Sequence, residues 1–395
     1  MKKILNYIGI ERIGFLEIVL AMYPILCGYQ YGQIPLQLLV LLILDIIVVV
    51  KKRGNVSVKQ PNKTILYLAI FVIVHESILF VTMPSVPSYF ISYYFSFIII
   101  FTSILIIGPA IDFTRFFSSI NVVAIICLLG LLYQFPIIIS GGDTTPIALP
   151  FLPTLAEGAR VYEALSRPSS FFWEPQLYCS FMFVPLFFAL LNRKMVWAII
   201  ITVSMFLSGS TTGIVISLFM FFFTIVFNSS KIGNKVFVAI VTVVLIALLL
   251  STNLFEVGVT KMESTKFEEN SRLINGIELV THMPLSDLIF GGNSATVADY
   301  YFSGAAEGAI LIEKYNSVFV STIWMIIVKF GIVGLLFYIW AYVKPIIQRK
   351  EITVYSLALI IMLFSNPDFI TGIFAFEMIV VNCFLLRFQN YQNND

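Results

Sequence analysis

The chain has 395 residues, of which 59% are hydrophobic and only 12% charged, with a formal net charge of +2. A soluble domain of that size could not cover its surface with so few charges, and so small a net charge carries no signal for nucleic acid. Apolar stretches near the roughly 20 residues needed to cross a bilayer recur throughout, which implies an all-α polytopic membrane protein and excludes a β-barrel, whose strands are short and alternating.

In chain order, the apolar runs predict about twelve spans in a single integral membrane domain over 1–395: 12–29, 34–50, 64–83, 89–108, 119–139, 171–191, 195–209, 211–227, 236–255, 318–343, 352–366 and 372–388. The first lacks a small-residue cleavage site and leads at once into the second, so it reads as a retained helix rather than a signal peptide. The seventh and eighth are short, and the tenth is long enough to be two helical pieces. Cys27, Cys127, Cys179 and Cys383 fall inside apolar runs without metal-binding spacing, and imply core positions rather than a disulfide framework. Glu17, Asp45, His75, Glu76 and Glu377 also lie within runs, where ionisable groups are expensive and are usually paired or functional.

Basic residues set the expected orientation. With the N-terminus inside, 17 of the 24 lysines and arginines fall in the cytoplasm, among them Lys2, Lys3, Arg12, Lys51, Lys52, Arg53, Arg193 and Lys194. Arg160, Arg167, Lys261, Lys266, Arg272, Lys314 and Lys329 remain outside or near the outer face. The positive-inside rule therefore predicts both termini in the cytoplasm and two long outer loops, 140–170 and 256–316. The first loop interleaves Pro146, Pro150 and Pro153 with apolar anchors. The second predicts an amphipathic helix from about Ser271 to Val280, then Pro284 and a turn at Gly291-Gly292.

Three features expected at the outer face can carry chemistry. Ser166-Arg-Pro-Ser-Ser-Phe-Phe-Trp-Glu174-Pro175 places Glu174 before a proline suited to open a helix, so Glu174 reads equally as a capping carboxylate paired with Arg167 or as part of an anion site. Arg160, Arg167 and Arg272 are planar, permanently charged forks that match phosphate oxygens, on the side where positive charge is normally depleted. Pairing with Glu157, Glu163, Glu268 or Glu278 is the plainer explanation for any one of them. Ser208-Gly-Ser210-Thr211-Thr-Gly213 is a hydroxyl-rich turn that caps the next helix and can also donate to a sugar or phosphate. Tyr315 and Asn316 mark the return of the second loop to the membrane, where Asn316 suits a cap, and His282 reads as structural. No Asp-x-Asp pair, His/Cys ligand cluster or P-loop is present, so no metal and no cofactor are expected, and any diphosphate must be met by arginine.

The segment Arg167 to Pro175 resembles the Arg-x-x-(small)-x-Phe-x-Glu-Pro signature of bacterial O-antigen polymerases of the Wzy type. Ser208 to Gly213 is similar to that family's Ser-x-Ser-x-x-Gly turn, with Thr211 where many members carry arginine. Arg272, with His282-Met-Pro284 and Gly291-Gly292, resembles the family's arginine-led helix and its Pro…Gly-x-Gly-like turn. Asn316-Ser317 and Lys329-Phe-Gly331-Ile-Val-Gly334 resemble the returning helix shared with O-antigen ligases, without the histidine that ligases usually have near Tyr315 or Asn316.

The resemblance implies a lipid-dependent, GT-C-like multi-span glycosyltransferase of the bacterial inner membrane, with both long loops periplasmic. It implies metal-independent transfer of a growing glycan from undecaprenyl diphosphate onto the next lipid-linked repeat unit. Arg167 and Arg272 are then expected to hold the diphosphate, with Glu174 as base or sugar-orienting group. Arg160, Ser208, Ser210, Thr211, His282, Tyr315 and Asn316 are expected to contact substrate. A chain-length regulator and a flippase would be its membrane partners. The competing expectations are an O-antigen ligase and a lipid-linked oligosaccharide flippase, the latter favoured by His75-Glu76.

Overall fold

The computed structural model describes residues 7–31, 34–54, 62–82, 88–152, 166–228, 236, 271–292, 320–365 and 371–392. Most of them are helical, and the one sheet among them is the antiparallel pair Gln30–Tyr31 and Ile34–Pro35. The helices are α1 (Phe15–Met22), α2 (Leu36–Lys51), α3 (Lys63–Thr82), α4 (Ser88–Ala110), α5 (Phe113–Ile139), α6 (Pro175–Leu191), α7 (Met195–Leu207) and α8 (Thr211–Asn228). They continue with α9 (Ser271–His282), α10 (Leu285–Phe290), α11 (Thr322–Gln348), α12 (Thr353–Ser365) and α13 (Gly372–Gln392). Among the described residues three helices, α3, α5 and α11, are long and apolar enough to cross a membrane. The expected ninth span beyond its first residue, Val236, lies outside the described residues, as do Arg160, Tyr315 and Asn316.

The helices gather into two compact units, each made from two separate stretches of chain. In the first unit, 1–37 and 111–264, α6 is the central element: it packs on α5, α7 and α8, and nearly every residue from Leu177 to Leu190 is buried. Its core is aromatic, with Phe172 stacked on Phe181 at 5.8 Å between ring centroids. The first predicted span breaks early. Pro24 opens a 3-10 turn, Tyr23–Gly28, and α1 is left only 8 residues long.

In the second unit, 38–110 and 265–395, α11 is the spine, packing on α3, α9, α10 and α12, while α4 packs on α13. Asn62 at the foot of α3 donates from Nδ2 to the Ala341 carbonyl at 2.8 Å, and Ser103 of α4 donates to Asp45 of α2 at 2.7 Å. Among apolar helices such polar pairs fix rotation and depth, because lipid gives no preference between apolar faces. α11 is two helical pieces in one: Gly331 interrupts it with φ 66° and ψ −173°.

Candidate functional site

Local chemistry places Glu174. A residue before proline is pushed to extended backbone, and proline is pre-shaped for the first helical position, where its missing N–H costs nothing. Glu174 accordingly adopts φ −137° and ψ 145° as the N-cap of α6, with Pro175 leading the helix. Its half-buried carboxylate makes no capping hydrogen bond, so capping does not occupy it.

The segment leading to Glu174 is held by one side chain. Gln134 of α5 accepts from the backbone N–H groups of Ser169 (3.0 Å) and Ser170 (2.7 Å) through Oε1, and its Nε2 donates to the Thr145 carbonyl at 2.8 Å. Ser170, at φ 57°, donates from Oγ to the Cys127 carbonyl at 2.7 Å and presses on Gly130, where a Cβ would stand 2.5 Å from that oxygen. One buried amide thus satisfies backbone groups from both ends of the first loop, which would otherwise carry a desolvation penalty.

Arg167 is brought against the Ser208–Gly213 turn. Its Nη1 donates to the Gly209 carbonyl at 3.2 Å. Gly209 has φ 65°, a left-handed helix-end conformation, and a Cβ there would lie 3.0 Å from Cδ and 3.2 Å from Cγ of Arg167. Burial pushes the Arg167 guanidinium below its ordinary range, and the carboxylate of Glu174 opposes that shift. A guanidinium carries five N–H donors, and that to Gly209 is the hydrogen bond Arg167 makes among the described residues. The site therefore joins a partly dehydrated cation, with donors to spare, to a carboxylate within electrostatic reach.

The hydroxyls of the turn serve local structure. Ser210 accepts from the Gly213 N–H at 3.3 Å, the N-cap bond of α8, and Ser208 donates to the Met205 carbonyl at 2.7 Å. Both are buried, and Thr211 is half-buried. Cys179 of α6 sits 3.2 Å from Ser208 Oγ, and its Sγ would collide with any Cβ at Gly213, so this glycine sets how closely α8 approaches α6.

The remaining candidates belong to the second unit. Arg272 lies in the first turn of α9 by its backbone, and its side chain is outside the described residues. His282 is exposed in the last turn of α9, with Nδ1 3.4 Å from Thr281 Oγ1. α9 packs on the first half of α11 through Leu279, Met283, Val320 and Val328. The next two motifs meet by backbone: Gly292 N–H donates to the Val328 carbonyl at 2.9 Å, and Gly291 and Gly331 approach so closely that a Cβ on either would collide with the main chain of the facing segment. Lys329, expected near the outer face, lies within α11 with Nζ 5.9 Å from the Phe97 ring centroid and within electrostatic reach of Glu76. Glu76 in turn stands 3.4 Å from His75 Nδ1.

Sequence reasoning missed Gln134 and the pairing of Gly291 with Gly331. An amide inside a long apolar run was the available signal for the first. No group of three or more acidic, histidine or cysteine side chains that could hold a metal occurs among the described residues. No family model, curated protein or solved structure matches the chain.

Proposed function

We propose that this protein is a multi-pass inner-membrane glycosyltransferase, with about twelve spans and both termini cytoplasmic, that polymerises undecaprenyl-diphosphate-linked oligosaccharide repeat units. The observation that carries this reading is the meeting of Arg167 with the Gly209 turn beside a Glu174 carboxylate that caps nothing. In the reaction an acceptor sugar hydroxyl attacks the anomeric carbon of the donor glycan, the bond from that carbon to the diphosphate oxygen breaks, and the hydroxyl proton passes to a base. Fixed guanidinium groups stabilise the charge that develops on the leaving diphosphate without reorganising. Arg167 has donors for that task, Arg272 is its proposed companion, and Glu174 is the proposed base or sugar-orienting group.

The test is purified protein with lipid-linked repeat units in detergent, where transport is impossible. Longer lipid-linked glycan is the expected product. Its absence, with folded protein and the correct repeat unit, would shift the assignment to a flippase. That second reading is favoured by His75, Glu76 and Lys329, an ionisable cluster within helices long enough to span a membrane.

A further inference from the structure

The second unit has an open groove of about 640 Å³ that the glycosyl-transfer reading does not use. Its walls include Tyr67, Phe71, His75 and Ile78 of α3, Phe290 at the end of α10 and Phe337 of α11. Tyr67, Ile70, Val74 and Ile78 of this lining, with Val81 beyond it, form a stripe along α3, each at least half exposed, at helical spacing and without a charged residue. In a bilayer that stripe faces lipid.

Charge and length choose the occupant. His75 is the only acidic or basic side chain lining the groove among the described residues, and its Nδ1 lies 3.4 Å from the Glu76 carboxylate behind it. Among its described residues the wall offers no lysine or arginine with which to hold an anionic headgroup. From Tyr67 to Leu79 the α3 wall runs roughly 18 Å at about 1.5 Å per residue, close to the roughly 15 Å that one leaflet contributes to the hydrocarbon core. We propose that the groove seats one acyl chain of a membrane phospholipid, read by its length and not by its headgroup. The chain covers Phe290, which is 60% exposed, and so braces the α9–α10 arm that carries Arg272 against α3 and α11. The proposal rests on the membrane-spanning part of the proposed function and not on the chemistry assigned to it.

The experiment uses full-length protein, stripped of lipid in detergent and then titrated with phospholipids of increasing acyl length, each with a neutral and an anionic headgroup. The expected result is a rise of about 2–4 °C in the thermal midpoint. It grows with chain length, is equal for both headgroups, and is accompanied by slower hydrogen exchange across 271–292. Ile78→Trp fills the groove and abolishes the response, whereas Ile332→Trp, at an exposed α11 position outside the groove lining, retains it. If Ile78→Trp does not fold, a phospholipid with a photoreactive acyl terminus decides on wild-type protein: adducts within 67–79 and at Phe290 are expected. Dependence on an anionic headgroup, adducts only elsewhere, or displacement of phospholipid by a polyisoprenyl phosphate would each overturn the proposal. Because the readout is binding and stability, a seat without polymerase activity and a polymerase without a seat give different results.

Discussion

Gly331→Ala is the sharpest test of how the second unit is assembled. At φ 66° and ψ −173° Gly331 occupies a region open essentially to glycine alone, so alanine there costs about 1–3 kcal/mol in backbone strain. A Cβ would also run into the carbonyl of Ile289 and the amide of Gly291, which are main-chain atoms with no rotamer to escape through. The end of α10 must move away, and the Gly292-to-Val328 hydrogen bond goes with it, at about 0.5–1.5 kcal/mol. The expected loss is about 2–4 kcal/mol, with each kcal/mol lowering the midpoint by about 2–4 °C for a unit of this size. Gly141→Ala is the control: φ is 83° but nothing lies within 4 Å of the added Cβ, so only conformational strain of about 1–2 kcal/mol applies. Thermal unfolding in detergent, with hydrogen exchange read over 285–292, checks both. Equal losses from the two variants, or unchanged exchange in Gly331→Ala, would refute the locked contact between the Gly291–Gly292 turn and the broken helix.

Three further outcomes are expected. Arg167→Ala abolishes long glycan while the protein stays folded, Arg167→Lys rescues poorly because a point charge cannot reproduce the fork, and a wild-type glycan ladder from either would remove Arg167 from the site. Gln134→Leu leaves the buried N–H groups of Ser169 and Ser170 without their acceptor and costs about 1–3 kcal/mol for each, seen as a lowered midpoint together with reduced activity. Single cysteines at the exposed Asp143 and at Ser264 react with an impermeant reagent in intact spheroplasts, and protection of both would reverse the orientation.

What could be read from the sequence was what adjacent residues decide. Pro175 determines the backbone of Glu174, the hydroxyls of Ser208 and Ser210 cap the turn they belong to, and the apolar periodicity of 271–280 gives α9, which runs on to His282. The length of the tenth run suggested two pieces, and Gly331 is where α11 breaks. Pairings across long separations were not readable. Nothing in spacing says that Gly331 waits for Gly291, or that Gln134 reaches forward to Ser169 and Ser170, because those partners are chosen by how helices pack and not by local preference. Pro24 carried a signal that the hydropathy of 12–29 concealed: it converts the middle of an apolar run into a 3-10 turn. Charge counting put Lys329 outside or near the outer face; the ring of Phe97, 5.9 Å from its Nζ, comes from another helix and was not readable from position along the chain.

The two ionisable clusters differ in a way that bears on polymerase against transporter. His75, Glu76 and Lys329 largely answer one another: the imidazole faces the carboxylate, the carboxylate acts on the lysine, and rings of Phe71, Phe97 and Phe330 pack around the histidine and lysine. A cluster that is internally matched needs no ligand to exist in a low-dielectric setting, and removing one member penalises folding first. Arg167 and Glu174 are matched less completely, since the guanidinium bonds to a neutral carbonyl and the carboxylate caps nothing. Burial already weakens the guanidinium's hold on its proton, so an incoming anion would restore what desolvation took away. Unsatisfied charge held in place by Gln134 and Gly209 is the arrangement expected of groups that wait for a substrate. That contrast is why we propose Arg167 and Glu174, and not the His75 cluster, for the chemistry.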